Sequence, residues 1–347
     1  MERERRVGAT ICCRQRLRIS SVIDRLVSER PARYADSRAN MMDKLSNLPS
    51  AIADIVRNED SVVLGACLEG NIPFCATYEL IRQGKRNLTM IAPISDASTD
   101  MLIGAGCVAG LTGAWVGNVS GGLGHNYRRA AEKSMPHPIR IHDYSNFTLA
   151  AALMAGAYGI PYMPVRSILG SDILASNPEF KQTTNPFTAE HEPVVLVPPL
   201  KADVAILAVQ RSDRAGNCHL WGSSGVTTEA AIGAARIIVV ADEIVEAEII
   251  ASDPSRVPFP GWQVSAVCQV PAGCHPSPMA GRWRRDNAFL NDYHLRSREV
   301  EGFQAWLKEW VFDVPDHAAY RAKLGERLDA LQIKGWAPSA PVNYASE

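Results

Sequence analysis

The stretch Ser61-Val-Val-Leu-Gly-Ala-Cys-Leu-Glu-Gly-Asn-Ile-Pro73 joins a short apolar run to a loop with two glycines. Residues 62–64 are β-branched or bulky, as a buried strand requires. Gly65 and Gly70 let the backbone that follows approach a ligand, and Pro73 is suited to the start of a helix. The pattern predicts a strand, a loop and a helix. In open α/β proteins ligands bind at such strand ends, although a strand–turn–helix without a ligand gives the same pattern.

Short apolar strands alternate with helices along most of the chain. Apolar runs predict further strands at 88–92, 108–117, 138–142, 194–197, 204–207, 237–240 and 264–267. Spacing and capping residues predict helices at 46–55, 73–83, 98–103, 123–133, 146–157 and 227–235, and a helical pattern over 298–331. Residues 166–193 lack a pattern and are expected to form a long surface loop. The alternation predicts an α/β fold with a mainly parallel sheet flanked by helices.

Composition is typical of a soluble globular protein, because 46% of the 347 residues are hydrophobic and 21% are charged. The net charge of −1 gives no support for a nucleic-acid partner. The uncharged stretches 101–124 and 149–165 are broken by glycines or prolines, so buried elements are favoured over membrane spans. The eight cysteines include no Cys-x-x-Cys pair. We therefore expect no metal site, and buried free thiols in the cytoplasm.

Residues 1–40 differ from the rest of the chain. They carry ten Arg against five acidic residues and contain no continuous apolar stretch. A secretory signal is therefore excluded, and the acidic residues count against a transit peptide. We interpret 1–40 as a disordered or wrongly assigned start that precedes Met41 and Met42. The predicted organisation is one domain over 41–335, followed by a tail over 336–347.

Several short motifs follow one another in a recognisable order between about residue 43 and residue 325. They are Tyr78-Glu-Leu-Ile-Arg-Gln-Gly84, Asn87-Leu-Thr89, Asp100-Met-Leu-Ile-Gly-Ala-Gly106, Gly159-Ile-Pro-Tyr-Met-Pro-Val165, Asn185-Pro-Phe187, Val204-Ala-Ile-Leu207, Gly273-Cys-His-Pro-Ser277, Asp286-Asn-Ala-Phe-Leu290 and Lys308-Glu-Trp-Val-Phe-Asp313. Each motif is weak alone, but the ordered set resembles the alpha subunits of family I coenzyme A transferases, most of all those of the glutaconate CoA-transferase type.

The resemblance implies a NagB/RpiA/CoA-transferase-like α/β domain without a separate nucleotide-binding module. It also implies a beta-type partner subunit, with α2β2 as one arrangement, and no membrane or nucleic-acid partner. In that family a glutamate of the beta subunit is the nucleophile and forms a glutamyl-CoA thioester. The CoA thioester is then a substrate, alongside a small carboxylic acid, and no cofactor is bound permanently. The alpha chain supplies one wall of the site.

The resemblance places the acyl-CoA site at the loop after the first buried strand. The residues expected to bind substrate or CoA are Gly65, Ala66, Cys67, Leu68, Glu69, Gly70 and Asn71. The family loop usually reads Gly-Gly-Phe and continues with basic residues, whereas this chain lacks the second glycine and the aromatic residue. It also has Asn71 and Ile72 at the positions that are often basic. These departures leave the acyl specificity, and the transferase activity itself, open.

Three polar residues are further candidates. Glu69 could contact substrate, act as an acid or base or, less readily, as a nucleophile; otherwise it is a solvated loop carboxylate. Arg128 could face a carboxylate or phosphate but also suits a solvated helix face. His275 lies in a family-like motif, although a structural hydrogen-bonding role fits a histidine without an adjacent carboxylate.

Three functions remain open from the sequence. The first is the alpha subunit of a heteromeric acyl-CoA:carboxylate CoA-transferase. The second is one chain of an acyl-CoA hydrolase or ring-opening hydrolase on the same fold, in which Glu69 activates water. The third is a non-catalytic partner that stabilises a beta-like chain. The sequence of the partner separates the first two, because transfer requires its nucleophilic glutamate.

Overall fold

The computed structural model describes residues 43–188 and 191–335. The predictions for 1–40 and for the tail 336–347 lie outside these residues. The described residues from Lys44 onward form one unit, and none of their helices is long and apolar enough to cross a membrane.

Fourteen strands are present in the described residues. They are β1 Leu45–Ser46, β2 Ser61–Leu64, β3 Leu88–Ala92, β4 Val108–Gly113, β5 Gly117–Asn118, β6 Gly122–Leu123, β7 Arg140–Asp143, β8 Met163–Val165, β9 Lys181–Thr184, β10 Pro193–Val197, β11 Val204–Ser212, β12 Cys218–His219, β13 Arg236–Ile244 and β14 Val264–Gln269. The predicted strands at 88–92, 204–207, 237–240 and 264–267 are therefore confirmed.

Helices lie between most of the strands. The α-helices are α1 Leu48–Ile55, α2 Phe74–Arg82, α3 Asp96–Gly104, α4 His125–Lys133, α5 Asn146–Tyr158, α6 Asp172–Ser176, α7 Thr227–Gly233, α8 Ala247–Ala251, α9 Asn287–Arg296, α10 Val300–Leu307, α11 His317–Leu324 and α12 Glu326–Leu331. Short 3-10 turns cover Pro254–Arg256 and Gly261–Gln263, and a π-helical turn covers Lys308–Phe312.

The main sheet is parallel throughout its central path, in the order β1-β14-β13-β11-β2-β3-β4-β7, with β12 added antiparallel to β11. The chain runs outward from β2 through β3, β4 and β7. It then returns to β11 on the other side of β2 and continues outward to β13 and β14. The order of strands therefore reverses between β2 and β11. Such a reversal opens a crevice at the carboxyl ends of the strands, where ligands bind in open α/β sheets.

Both faces of the sheet are buried, which explains why its strands read as continuous apolar runs. Val62 and Leu64 of β2 point into one apolar core, and Val63 points into the other. Strand β11 alternates in the same way, with Ile206 in the first core and Leu207 in the second. The mainly parallel α/β sheet flanked by helices that the sequence predicts is thus confirmed.

The long surface loop expected over 166–193 is wrong in part. This segment contains α6 and β9, and β9 joins β8 and β10 in a separate antiparallel sheet of three strands. Residues 181–184 of β9 are all polar and exposed, so no apolar alternation marks the strand. The predicted strand at 194–197 is present, but it belongs to this small sheet rather than the main one.

Two helix predictions need correction. Helix α3 begins at Asp96, two residues before the predicted start, so Ser98 is buried inside the helix. Its hydroxyl lies 2.8 Å from the hydroxyl of Thr77 on α2. The helical pattern over 298–331 is divided into shorter helices, because Pro315 and Gly325 interrupt it. Phe303, Trp306 and Val311 of this segment pack into the first core, and Trp306 is fully buried.

Candidate active site

The candidate site begins at the loop of residues 65–71, which leaves β2 at the reversal of strand order. The Gly65 amide donates to the carbonyl of Ile206 on β11 at 2.9 Å, so the loop starts directly beside the neighbouring strand. Gly65 has φ +62°, and a Cβ there would lie 3.0 Å from the Asn71 carbonyl oxygen. The left-handed backbone and this close approach explain why glycine occupies the position.

The loop closes through a tight turn. The Gly70 amide donates to the Cys67 carbonyl at 3.2 Å, which leaves Leu68 and Glu69 as the central residues of the turn. Leu68 has φ +60° and Asn71 has φ +53°, which is unusual for residues with a side chain. Two such residues in one short loop indicate local backbone strain of the kind that is found at functional sites.

A segment near the end of β14 holds the loop in place. The Asn71 amide donates to the Pro278 carbonyl at 2.8 Å. The Ser277 hydroxyl donates to the Glu69 carbonyl at 2.7 Å. These bonds fix the backbone of the turn and leave the Glu69 side chain outside it.

The segment before α7 forms a second support. The Val226 amide donates to the Ala66 carbonyl at 2.9 Å. Gly225, with φ +51°, lies so close that a Cβ would be 2.1 Å from the same carbonyl oxygen. The Cys67 sulfur lies 2.9 Å from the hydroxyl of Thr227. Burial raises the pKa of the Cys67 thiol, so it is a neutral packing group and not a thiolate nucleophile.

These segments enclose a cavity of about 290 Å³. It is lined by Cys67, Leu68, Glu69, Gly70, Asn71, Ser223, Pro278, Ala280 and Arg285. Five of the seven loop residues expected at the site line this cavity. Gly65 and Ala66 do not line it; they connect the loop to β11 and to the segment before α7.

Glu69 presents a carboxylate at the cavity. Its side chain is exposed and forms no hydrogen bond or ion pair with any residue that the structure describes. The backbone amides of Leu68 and Glu69 likewise donate to none of the described residues. The turn therefore presents two N–H groups and one carboxylate that make no hydrogen bond with the described residues and are available to a ligand.

Arg285 is the principal residue that the sequence reasoning missed. Its side chain is 8% exposed, and its Nη1 atom lies 2.6 Å from Oδ2 of the fully buried Asp96. The Arg285 Nε donates to the Asn287 side chain at 3.0 Å. In the sequence it is one of three arginines within four residues, and only the neighbouring Asp286 motif could have drawn attention to it.

The structure does not bring Arg128 or His275 to the cavity. Arg128 is half exposed on α4 and pairs with Glu132 at 3.2 Å. His275 is buried, with Nδ1 2.7 Å from the Tyr320 hydroxyl and Nε2 3.1 Å from Oδ2 of Asp286. Burial lowers the pKa of His275. Its surroundings are those of a structural histidine that links the segment after β14 to the helices near the end of the chain.

No candidate metal site is present in residues 43–188 and 191–335. The described residues contain no group of three or more His, Cys, Asp or Glu side chains that could hold a metal ion. The six cysteines of the described residues are buried free thiols, as the sequence predicts. Cys12 and Cys13 lie outside these residues.

A sequence profile described as coenzyme A transferase matches residues 46–269, which is more than half of the chain. The chain belongs to this coenzyme A transferase family. The matched range contains the loop 65–71 and the strands on both sides of the reversal, whereas the lining residues Pro278, Ala280 and Arg285 lie beyond it. Within the family the chain is of the alpha type of family I, as its relatives show.

Two curated relatives are similar over nearly their whole length. The A subunit of 3-oxoadipate CoA-transferase from Pseudomonas knackmussii is 39% identical over 285 residues, which cover 82% of this chain and 99% of that protein. The A subunit of glutaconate CoA-transferase from Acidaminococcus fermentans is 33% identical and covers 84% and 95%, respectively. This member of the CoA-transferase family therefore shares a larger fraction of identical residues with the 3-oxoadipate protein than with the glutaconate protein.

Solved structures agree with the sequence relatives. The crystal structure of glutaconate coenzyme A-transferase from Acidaminococcus fermentans superimposes with a TM-score of 0.79 at 32% identity, covering 88% of this chain and 100% of that chain. A variant of the decarboxylase AibA/AibB superimposes with a TM-score of 0.63 at 26% identity, covering 77% and 100%. The same fold thus also occurs in a protein named as a decarboxylase, so the fold alone does not fix the reaction.

Proposed function

We propose that this chain is the alpha subunit of a heteromeric acyl-CoA:carboxylate CoA-transferase and works only with a beta subunit that carries the nucleophilic glutamate. The observation that carries the proposal is the cavity at the strand reversal, whose turn residues keep two N–H groups and a carboxylate free of internal partners. The similarity to subunits named for CoA transfer supports the reaction class.

The chemistry proceeds through an exchange of acyl groups. The beta glutamate attacks the thioester carbonyl of the acyl-CoA, which forms a mixed anhydride and releases the CoA thiolate. The thiolate attacks the glutamyl carbonyl of the anhydride, which releases the donor acid and leaves a glutamyl-CoA thioester. The acceptor carboxylate then attacks the glutamyl-CoA thioester, which forms a second mixed anhydride and releases the CoA thiolate. The thiolate attacks the acceptor's carbonyl in that anhydride, which releases the new acyl-CoA and regenerates the glutamate.

The alpha chain contributes binding and charge stabilisation to this cycle. Each attack on a carbonyl develops negative charge on oxygen, and fixed N–H donors stabilise that charge. The amides of Leu68 and Glu69 are the donors that the turn offers. The volume of about 290 Å³ is at the lower end for small-molecule sites, which suits a short acyl chain better than a fused-ring group.

A hydrolytic function is the second candidate, because Glu69 is exposed at the cavity without a partner among the described residues. A carboxylate in that position can take a proton from water, which then attacks the thioester or a ring carbon of a CoA-linked substrate. In that case no enzyme-bound thioester forms, and the partner needs no nucleophilic glutamate.

The test uses the chain together with the beta-like protein encoded beside it. We expect the complex to transfer CoA between acyl-CoA and a free carboxylic acid, and the isolated chain to be inactive. Sodium borohydride should trap a thioester on the partner after incubation with acyl-CoA. Glu69→Gln should keep turnover within about threefold of wild type if transfer is the function. The matched control is Glu248→Gln, an exposed glutamate on α8 that does not line the cavity.

Three outcomes would contradict the transferase proposal. Transfer by the isolated chain would remove the need for a partner. Loss of acyl-CoA turnover in Glu69→Gln, with no thioester trapped in the wild-type complex, would establish the hydrolase instead. A complex that assembles but turns over no acyl-CoA would favour the non-catalytic partner.

A further inference from the structure

A second cavity, the α11 cavity, lies where α1, α2, α11 and the end of β14 meet. Its volume is about 360 Å³, which falls within the range of small-molecule sites. It shares no lining residue with the cavity at the loop 65–71. The transfer chemistry described above makes no use of the α11 cavity, which is therefore a candidate for a separate binding site.

The buried residues that line the α11 cavity are mostly apolar. They include Leu48 of α1, Cys75 and Tyr78 of α2, and Val270 at the end of β14. Burial raises the pKa of the Cys75 thiol and of the Tyr78 hydroxyl, so both side chains are neutral. The hydrocarbon part of a ligand would leave water on entering this part of the cavity, which favours binding.

Two arginines line the same cavity and have N–H groups that the fold does not use. Arg82 donates from Nε to two main-chain carbonyls and from Nη1 to Glu79 at 2.9 Å. Its Nη2 atom has no hydrogen-bond partner among the described residues and keeps accessible surface. Arg321 on α11 is exposed, and its side chain makes no hydrogen bond or ion pair within residues 43–188 and 191–335. Guanidinium groups of this kind bind carboxylate oxygens through paired N–H donors.

The two acidic residues that line the cavity already have partners in the fold. The Glu79 carboxylate accepts hydrogen bonds from the side chains of Arg82 and Gln83. Oδ1 of Asp316 caps α11, because it accepts from the Ala319 amide at 2.8 Å. Neither carboxylate pairs with Arg321, so that arginine keeps its full charge at the cavity.

His317 lies beside both arginines and adds no charge of its own at neutral pH. Burial lowers its pKa to about 4, and the nearby charges of Arg321 and Arg82 act in the same direction. Its Nε2 atom lies 2.8 Å from the Pro271 carbonyl oxygen, so the ring is held against the end of β14. The α11 cavity therefore combines buried apolar side chains with two cationic groups close to one neutral ring.

We propose that the α11 cavity is a second, non-catalytic site that binds a small carboxylic acid with an apolar body. The buried apolar residues receive the body, and Arg321 and Arg82 receive the carboxylate. A ligand without a hydrocarbon part, such as phosphate, would leave the apolar residues unused. This site goes beyond the proposed function, and it is tested by binding, so its outcome does not depend on CoA transfer.

The test uses isothermal titration calorimetry on the full-length chain in complex with the beta-like partner. The probes are 4-phenylbutanoate and its neutral amide, 4-phenylbutanamide, which has the same shape. We expect the acid to bind with a dissociation constant of about 0.1 to 3 mM. The amide should bind at least about 10-fold more weakly, because it lacks the charge-assisted hydrogen bonds.

Two pairs of variants place the ligand in the α11 cavity. Arg321→Gln should weaken binding of the acid by about 10-fold, whereas Arg284→Gln, an exposed arginine that does not line the cavity, should leave it unchanged. Ala318→Phe puts a bulky side chain at the cavity and should abolish binding. Its control is Ala322→Phe, an exposed position four residues further along the same helix that does not line the cavity. The melting temperature of each complex checks that the variants are folded.

Four results would overturn the proposal. Equal binding of acid and amide would show that the arginines do not recognise the carboxylate. Unchanged binding in both Arg321→Gln and Ala318→Phe would place the ligand elsewhere on the complex. Tighter binding of inorganic phosphate than of the acid would indicate a different ligand class. Binding by the isolated chain but not by the complex would show that the partner subunit covers the cavity.

Discussion

Gly225→Ala tests whether the loop 65–71 must keep its position. The added Cβ would lie 2.1 Å from the Ala66 carbonyl oxygen and 2.9 Å from Cys67 Cα. Nonbonded heavy atoms settle at roughly 3.5 Å, so the loop backbone has to retreat by about 1.4 Å. A displacement of about 1 Å at a reacting centre can cost about 100-fold in rate. The left-handed φ of +51° adds about 1 kcal/mol of backbone strain.

Gly159→Ala is the matched control for this variant. Gly159 has φ +67°, yet nothing lies within 4 Å of a Cβ placed there. It carries the same backbone cost without the collision, so any difference between the two variants reports the displaced loop. Both should be purified as complexes with the partner, checked for assembly by gel filtration, and assayed for acyl-CoA turnover. We expect a loss of about 100-fold for Gly225→Ala and less than about threefold for Gly159→Ala. Equal turnover by the two complexes would refute the placement of the site at this loop.

Three further predictions concern stability. Burial acts to raise the pKa of Asp286, but hydrogen bonds from His275 and Arg327 outweigh it and hold that pKa well below its usual range. Asp286→Asn should therefore lower the free energy of unfolding at pH 7 by about 3 kcal/mol, and urea titrations should show this loss shrinking as the pH falls below about 4. Burial lowers the pKa of His317 to about 4, so the unfolded chain binds more protons than the folded chain between about pH 6.5 and 4. The wild-type protein should therefore lose up to about 3 kcal/mol of stability over that interval, and His317→Gln should lack this loss. A stability difference between the two proteins that does not change with pH would contradict this. Deletion of residues 1–41, which precede the family match at residue 46, should shift the melting temperature by less than roughly 5 °C, and a larger drop would show that they support the domain.

Local sequence patterns predicted the main sheet well, because its strands are buried on both faces and read as apolar runs. Residues 62–64 and 204–207 are examples, and both lie beside the strand reversal. The small antiparallel sheet was missed because Lys181–Thr184 is polar and exposed, so no apolar alternation marks this strand. The start of α3 was misplaced because its serine and threonine side chains pack inside the fold, where a sequence pattern would read them as caps.

The candidate site could be predicted only in part for a related reason. The loop 65–71 is contiguous, so its glycines and its position after a strand were visible in the sequence. Gly225 and Arg285 come from segments more than 150 residues further along the chain. These two residues reach the candidate site only because the ends of separate strands lie close together in the fold. No short-range sequence pattern predicts that proximity. The pairing of Asp96 with Arg285 was invisible for the same reason.

The reversal of strand order also determines the order in which strands of the main sheet can pair while the chain is being synthesised. Strand β2 pairs with β11, and Ser61 is hydrogen-bonded to Asp203, which is 142 residues further on. At about 5–20 residues per second, roughly 7 to 30 s pass between the synthesis of these two residues. During that interval one edge of β2 has no neighbour, and an unpaired apolar strand is a template for wrong pairing. Strand β2, which is central in the folded sheet, is therefore the edge of the nascent chain that is most exposed to wrong pairing until β11 has been synthesised. The yield of folded protein should depend on the rate at which the residues between Ser61 and Asp203 are translated.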